Sequence, residues 1–412
     1  MKLYEDLVWR GLISQTAGED IEDAINSGNL TFYLGVDPTG KSVHVGSLLT
    51  IMGLVRLSRA GHHPVILIGG ATGMIGDPSG KSQERNLLDE ETTFANSKYI
   101  ENQIKKLVPE AVFVNNYDWI SKMSVITFLR DIGKNLTVNY MMAKESVKRR
   151  LESGISYTEF SYQMIQACDF LHLYKEMGCA LQVGGQDQWG NITAGFELIR
   201  KIEGSSAKVY CLTFPLLLKS DGTKFGKTAE GGVWLDPDMT SPYSLYQFWL
   251  NTPDEDVIAR LKEFTLLEKE EIDLIEEEWN LSREKRLAQK RLAEEVTKFV
   301  HGEEALKEAQ RITEAVFKGD ITSLSKKEIE DVFSEDQILS ISDDKNILDI
   351  LVEANLAPSK SEARKLVQGS AVSVNSNKID DISFIVKKED AIEKTYSFIK
   401  KGKKNHILIK HE

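Results

Sequence analysis

The first 220 residues alternate short apolar runs with longer amphipathic stretches, and that alternation leaves few folds open to the chain. Residues 30–36, 64–69, 111–114, 180–183 and 209–213 have the length and composition of strands. Each is rich in Val, Ile, Leu or Phe and bounded by Gly, Asn or Pro. Helical patterns separate them, as at 48–60 and 191–202. Strands alternating with helices build a parallel sheet covered on both faces, an α/β fold. Ligands of such folds bind at the carboxyl ends of the strands, where the loops are.

Past residue 240 the strand signals stop. Glu, Lys, Leu and Ala dominate, as at 282–300, so 221–330 is expected to hold a lysine-bearing loop and then, from about 240, a helical domain, with Asp254 and Ser282 as helix N-caps. A polar stretch begins near Asp320, and 331–345 reads as a linker. From Asn346 to the end come two helical patterns, at 347–354 and 361–368. Short alternating strands such as 371–374 follow, making a small α+β domain. A chain of 412 residues is expected to hold two or three domains, because single cores rarely grow past roughly 250–300 residues.

The net charge of −12 by itself speaks against a nucleic-acid partner. Residues 346–412, however, hold 12 Lys and Arg against 9 Asp and Glu, or +3, which leaves −15 for the rest. Such a sign change points to a separate binding module. Hydrophobic residues make up 41%, enough for ordinary cores. No apolar run reaches about 18 residues, so no membrane span is expected. The start, Met1-Lys2-Leu3-Tyr4-Glu5-Asp6, has none of the apolar character of a signal peptide. Cys168, Cys179 and Cys211 are odd in number and widely spaced, which fits neither a disulfide framework nor a zinc site. A reducing cytoplasm is the simplest compartment for them.

Five segments carry chemistry. Tyr33-Leu34-Gly35-Val36-Asp37-Pro38-Thr39-Gly40 leads into His44-Val45-Gly46-Ser47, a strand, a polar turn and a helix start. A helix N-terminus favours anions, and a histidine there donates to a phosphate oxygen without permanent charge. The same residues also suit a plain strand–turn–helix. The second segment, Gly69 to Lys81, holds five glycines in twelve residues, with Asp77, Lys81 and Arg85 near its end. It is not a P-loop, since Gly80-Lys81-Ser82 would need glycine where Ile75 stands. It is not the dinucleotide fingerprint either, because Ile68 takes the first glycine position before Gly70 and Gly73. An active-site loop or a long surface loop remains. In the third segment, Tyr162, Gln166 and Asp169 share one face if the stretch is helical. Buried, they would need hydrogen-bond partners; otherwise they form the polar face of a surface helix. The fourth, Gly184-Gly185-Gln186-Asp187-Gln188, again ends a strand. The fifth, Lys219 to Thr228, sets Lys224 and Lys227 in a glycine-containing loop that can close on an anion or stand as solvated surface.

Taken together and in this order, these segments resemble the bacterial tyrosyl-tRNA synthetases, within the class I aminoacyl-tRNA synthetases, over nearly the whole chain. His44-Val45-Gly46-Ser47 resembles the class's His-Ile-Gly-His signature, and Lys224-Phe225-Gly226-Lys227-Thr228 its Lys-Met-Ser-Lys-Ser loop. The resemblance implies a Rossmann-like catalytic domain over 1–220, with a dimer-forming insertion at about 115–160. It implies an anticodon-binding helical domain behind the catalytic lysine loop, and from 346 a small RNA-binding domain like one in a ribosomal protein. Tyr33 and Asp169 would hydrogen-bond the hydroxyl of a tyrosine substrate. Tyr162 and Gln166, with Asp77, would hold its ammonium group, while Asp37 and Gln188 line the same pocket. Asp187 would contact the ribose of the adenylate. His44 and Thr39 would bind phosphates, with Gly46 and Ser47 beside the nucleotide. Lys81, Arg85, Lys224 and Lys227 would stabilise the departing pyrophosphate. Ser47 replaces the signature's second histidine and keeps a donor and acceptors.

By the same resemblance the substrates are L-tyrosine, Mg-ATP and tRNA(Tyr), the enzyme is a homodimer, and Mg²⁺ arrives with ATP without a dedicated protein site. Catalysis would rest on positioning and on cations at the leaving group, with no covalent nucleophile. A site that hydrogen-bonds a substrate hydroxyl rejects the analogue lacking it, and tyrosyl-tRNA synthetases are themselves the standard illustration of that rule. Two alternatives remain: a tryptophanyl-tRNA synthetase, and a non-catalytic RNA-binding protein on a synthetase fold.

Overall fold

The strand segments are apolar on both faces, so they need helices above and below, and the fold supplies them. A computed structural model describes residues 1–80, 87–150, 154–218, 225–228, 231–402 and 405–412, with 227 and 228 described by backbone alone. The chain forms two compact units, Met1–Thr240 with Trp249–Val300, and Ser241–Phe248 with His301–Glu412.

The first unit is built on six strands: β1 (Gln15–Ala17), β2 (Thr31–Val36), β3 (His63–Ile68), β4 (Val112–Asn115), β5 (Cys179–Gly185) and β6 (Tyr210–Phe214). Their order is β1-β6-β5-β2-β3-β4. All neighbours run parallel except β1, which pairs antiparallel with β6. The five expected strands lie within two residues of their expected bounds. The three-residue β1 gives too little pattern to be read. The chain passes from β2 outward through β3 to β4, then crosses to the other side for β5 and β6. Where the order reverses, the loops after β2 and β5 diverge and leave a crevice.

The helices that flank this crevice are α1 (Val45–Arg59), α2 (Glu90–Leu107), α3 (Tyr157–Met177) and α4 (Trp189–Glu203). The sequence of α3 marks both of its ends. Ser156 Oγ accepts from the Glu159 amide at 3.2 Å, and Gly178 closes the helix at φ +63°. Two glycines let aromatic rings come close. A Cβ on Gly195 of α4 would stand 2.9 Å from the Phe170 ring, and one on Gly53 of α1 would overlap the Phe214 ring.

The expected helical region belongs to both units. Helices α5 (Val257–Phe264) and α6 (Lys269–Leu281) are in the first, where Arg10 donates to the carbonyls of Lys262 and Leu267 at 3.0 and 2.7 Å. Neither expected N-cap starts an α-helix, although Ser282 precedes a single 3-10 turn, Arg283–Lys285, without a side-chain cap bond. Asp254 accepts from Gln289 Nε2 at 2.6 Å, and α5 begins after Asp256. Ser282 follows the end of α6, and Arg286, at φ +53°, separates it from helix α7 (Leu287–His301).

The second unit contains α8 (Glu303–Lys318), α9 (Lys326–Val332), α10 (Ile347–Glu353) and α11 (Lys360–Gln368). Its sheet comprises β7 (Ile338–Ile341), β8 (Val372–Val374), β9 (Asn377–Ile379), β10 (Tyr396–Lys401) and β11 (Asn405–His411), in the order β9-β8-β10-β11-β7. The expected linker 331–345 is therefore not one, since β7 lies inside it and pairs parallel with β11. Three apolar residues flanked by Ser and Asp average out as polar, yet Leu339 and Ile341 pack in one core and Ile338 against another. Among the described residues no helix is long and apolar enough to cross a membrane.

Gly53→Ala is expected to lower the stability of the fold by about 1–3 kcal/mol through overpacking against Phe214, read as a shift in the urea midpoint at unchanged slope.

Candidate active site

A cavity of about 570 Å³ opens at the crevice between β2 and β5. Tyr33 on β2 and Asp37 and Thr39 just past it line one side. Tyr162, Gln166 and Asp169 of α3 line another, and Asp187 and Gln188 reach it from the turn after β5. His44, Gly46, Ser47 and Asp77 complete the expected set, so all twelve of these residues line one cavity. Lys81, Arg85 and Lys224 lie outside the described residues. The Lys227 backbone pairs with Gly232 in a two-residue ladder.

The helical face expected in the third segment exists, with Tyr162, Gln166 and Asp169 on α3 pointing into the cavity. Asp169 is 1% exposed. Its Oδ1 accepts from Trp119 Nε1 at 2.8 Å and its Oδ2 from Asn116 Nδ2 at 2.9 Å. Burial pushes the Asp169 carboxyl up to about 7, the two hydrogen bonds oppose that rise, and the charge of Asp37 adds to it. The Tyr33 hydroxyl is buried and has no hydrogen-bond partner among the described residues. Burial, then the Asp169 charge, drives its pKa well above the usual phenol value, so the hydroxyl keeps its proton and stays a donor. A carboxylate accepts up to four hydrogen bonds. Asp169 and Tyr33 together thus offer a buried acceptor and a buried hydroxyl.

The glycine-rich loop serves this pocket. Asp37 accepts from Thr72 Oγ1 at 2.7 Å and from the Tyr162 hydroxyl at 2.8 Å. A Cβ at Gly69 would overlap Asp37 and Thr72, and one at Gly70 would overlap the Asn115 amide. Further along the loop, Asp77 accepts from Gln188 Nε2 at 2.5 Å, Asn191 Nδ2 at 3.2 Å and the Ser79 amide at 3.0 Å. Asp37, Asp77 and Asp169 make one end of the cavity suited to a cation.

At the other end, His44 caps α1, its Nδ1 accepting from the Gly46 amide at 3.0 Å. That bond leaves Nε2 as the protonated nitrogen of the neutral ring. Backbone bonds join this helix start to the lysine segment: the Val45 amide donates to Val233 at 2.8 Å, and the Val233 amide to Gly226 at 3.0 Å. Gly226, at φ +83°, leaves room for the His44 ring, and Trp234 meets that ring edge-on at 5.4 Å between centroids.

Several site residues escaped the sequence reading. Asn116 and Trp119 fall in the stretch expected to be the dimer-forming insertion, yet they hold Asp169. Thr72, Gln182, Asn191 and Trp234 were also missed, although Thr72 follows the glycines and Asn191 begins the expected helix 191–202. Contacts such as Thr72 with Asp37, Asn191 with Asp77 and Trp234 with His44 span 35 to 190 residues in sequence, which no local pattern reports.

The switch-point cavity, acidic at one end and bounded at the other by a histidine-capped helix tied to a lysine segment, defines a class I aminoacyl-tRNA synthetase domain. Residues 26–318 match the family described as tRNA synthetases class I (W and Y), and 328–409 match the tyrosine–tRNA ligase SYY-like C-terminal domain. The chain is 52% identical to the tyrosine–tRNA ligases of Geobacillus stearothermophilus and Bacillus caldotenax, over all of this chain and all of each relative. A C-terminally truncated mitochondrial tyrosyl-tRNA synthetase of Aspergillus nidulans superposes with a TM-score of 0.70 at 33% identity, covering 77% of this chain and 94% of that one. The chain belongs to the tyrosine–tRNA ligase family of enzymes.

Asp169 has a raised folded-state pKa, so its contribution to stability is present below its unfolded value near 3.8 and is lost as pH rises through about 7. The difference in unfolding free energy between wild type and Asp169→Asn is expected to change by about 1–4 kcal/mol across that window, against wild type as pH rises. Denaturant titrations at pH 4.5 and 7.5 measure it.

Proposed function

We propose that this cavity activates L-tyrosine with Mg-ATP to tyrosyl-adenylate and pyrophosphate, and that the enzyme then transfers tyrosine to the 3′ end of tRNA(Tyr). The observation that carries this reading is the buried Tyr33 hydroxyl, without a hydrogen-bond partner among the described residues, in the same cavity as the buried carboxylate of Asp169. An unsatisfied buried hydroxyl costs about 1–3 kcal/mol, and a phenolic substrate hydroxyl would accept from Tyr33 and donate to Asp169. An indole offers only one N–H donor and no acceptor, so tryptophan fits this pair worse.

The roles follow from charge and place. Tyr162, Gln166 and Asp77 hold the substrate ammonium, with Asp37 and Gln188 lining the same pocket. The substrate carboxylate then attacks the α-phosphorus of ATP, whose Mg²⁺ enters with it. Asp187 contacts the ribose, Gly46 and Ser47 flank the nucleotide, and His44 and Thr39 bind phosphates. Lys81, Arg85, Lys224 and Lys227 neutralise the departing pyrophosphate. A terminal ribose hydroxyl of the tRNA attacks the carbonyl carbon of the adenylate, and AMP leaves. The C-terminal unit, whose residues 346–412 carry +3, is the RNA-binding part.

We also propose a homodimer formed through residues 115–160, where Val125 and Ile126 are 73% and 75% exposed and Val138 and Tyr157 are exposed near them in sequence. Its three free, buried cysteines suit the reducing cytoplasm.

ATP–pyrophosphate exchange with tyrosine, phenylalanine and tryptophan tests the assignment: only tyrosine is expected to support it efficiently. Exchange driven best by tryptophan would overturn it. Tyr33→Phe is expected to reduce the preference for tyrosine over phenylalanine by about tenfold or more. Lys227→Ala is expected to slow adenylate formation by about 10²-fold or more while leaving tyrosine affinity nearly unchanged, as measured by pre-steady-state fluorescence and equilibrium dialysis.

A further inference from the structure

Trp119 is held at two points by one helix. Its indole N–H donates to Asp169 Oδ1 at 2.8 Å. Its ring face stacks on the imidazole of His172, with centroids 4.2 Å apart and planes 20° from parallel. Asp169 and His172 are three residues apart on α3 and therefore share a face of it. A hydrogen bond alone would let the indole swing about the N–H···O axis. A plate against its face removes that freedom and sets the direction of the N–H. Burial lowers the basicity of His172, with Glu176 acting the other way, so the ring stacks as a neutral aromatic.

We infer that His172 is a positioning residue for substrate selection, acting through Trp119 to orient the Asp169 carboxylate toward the substrate hydroxyl. Trp119 and Asn116 occupy one lone-pair direction on each oxygen of Asp169. The directions left over must meet the substrate hydroxyl beside Tyr33, and they turn with the carboxylate plane. If the indole tilts, that plane turns with it. Only an amino acid that carries the hydroxyl senses the change. The inference rests on the reading that Asp169 receives the tyrosine hydroxyl.

The experiment is steady-state ATP–pyrophosphate exchange with tyrosine and phenylalanine on the full-length enzyme, using His172→Ala, His172→Phe, Trp119→Phe, His172→Ala with Trp119→Phe, and Asp169→Ala. Loss of one aromatic stack is expected to raise the KM for tyrosine and lower the tyrosine-to-phenylalanine ratio of kcat/KM, each by about threefold to tenfold. In His172→Ala the kcat with tyrosine, the KM for ATP and the kcat/KM for phenylalanine should stay near wild type. His172→Phe keeps a flat ring and should restore most of the ratio. In the Trp119→Phe background, which lacks the N–H, His172→Ala should have no further effect. A wild-type ratio in His172→Ala alongside a collapsed ratio in Asp169→Ala overturns the role of His172 and leaves the substrate reading standing. Equal losses for both amino acids, or an additive double variant, also overturn it. A wild-type ratio in folded Asp169→Ala overturns the substrate reading and this inference together.

Discussion

A carboxylate shut away from water must be held by hydrogen bonds or give up its charge, and the catalytic unit is organised around that demand at Asp169. Helix α3 buries the side chain, and the segment after β4 supplies both of its donors. Asn116 also reaches the loop after β3, donating to Thr72 Oγ1 at 3.1 Å and accepting from the Ala71 amide at 2.8 Å. Thr72 in turn bonds Asp37, which receives the Tyr162 hydroxyl back on α3. The network closes on itself through α3 and the segments that follow β4, β3 and β2. Such a network is rigid when fully satisfied, and the Tyr33 hydroxyl is a buried polar atom of the same cavity that the described residues leave unsatisfied.

Close approach explains the glycines better than flexibility does. Gly69 and Gly70 clear space for Asp37, Thr72 and the Asn115 amide, while Gly226 and Gly232 clear space for the ring of His44. A loop with five glycines in twelve residues invites a reading as a phosphate cradle, and its spacing fits no such motif. Its glycines let backbone pass beside carboxylates that must stay fixed. The lysine segment follows the same logic, since backbone bonds through Val233 couple it to the capped start of α1. Anion-binding charge placed there would sit in fixed register with the helix N-terminus.

Charge is divided along the chain in a way that suits the proposed chemistry. Three carboxylates gather at the end of the cavity assigned to the amino acid, the proposed cations belong at the phosphate end, and the C-terminal 67 residues reverse the sign of the rest. A net charge of −12 therefore says little about whether a polyanion binds, because screening limits each charge to a range of about 10 Å.

Sequence by itself determined the α/β class, the five parallel strands and the shared face of Tyr162, Gln166 and Asp169. Each depends on periodicity or on residues a few positions apart, where backbone geometry dictates which side chains meet. The resemblance of five ordered segments to a synthetase family was legible for the same reason. Tertiary structure alone decided the strand order that opens the crevice. It also made 338–341 a strand and not a linker, and brought Asn116, Trp119 and His172 to the service of Asp169. Those three lie 53, 50 and 3 residues from the carboxylate in sequence. Even the nearest of them acts only through a ring supplied by another element, and contacts of that kind are settled by packing, not by local spacing.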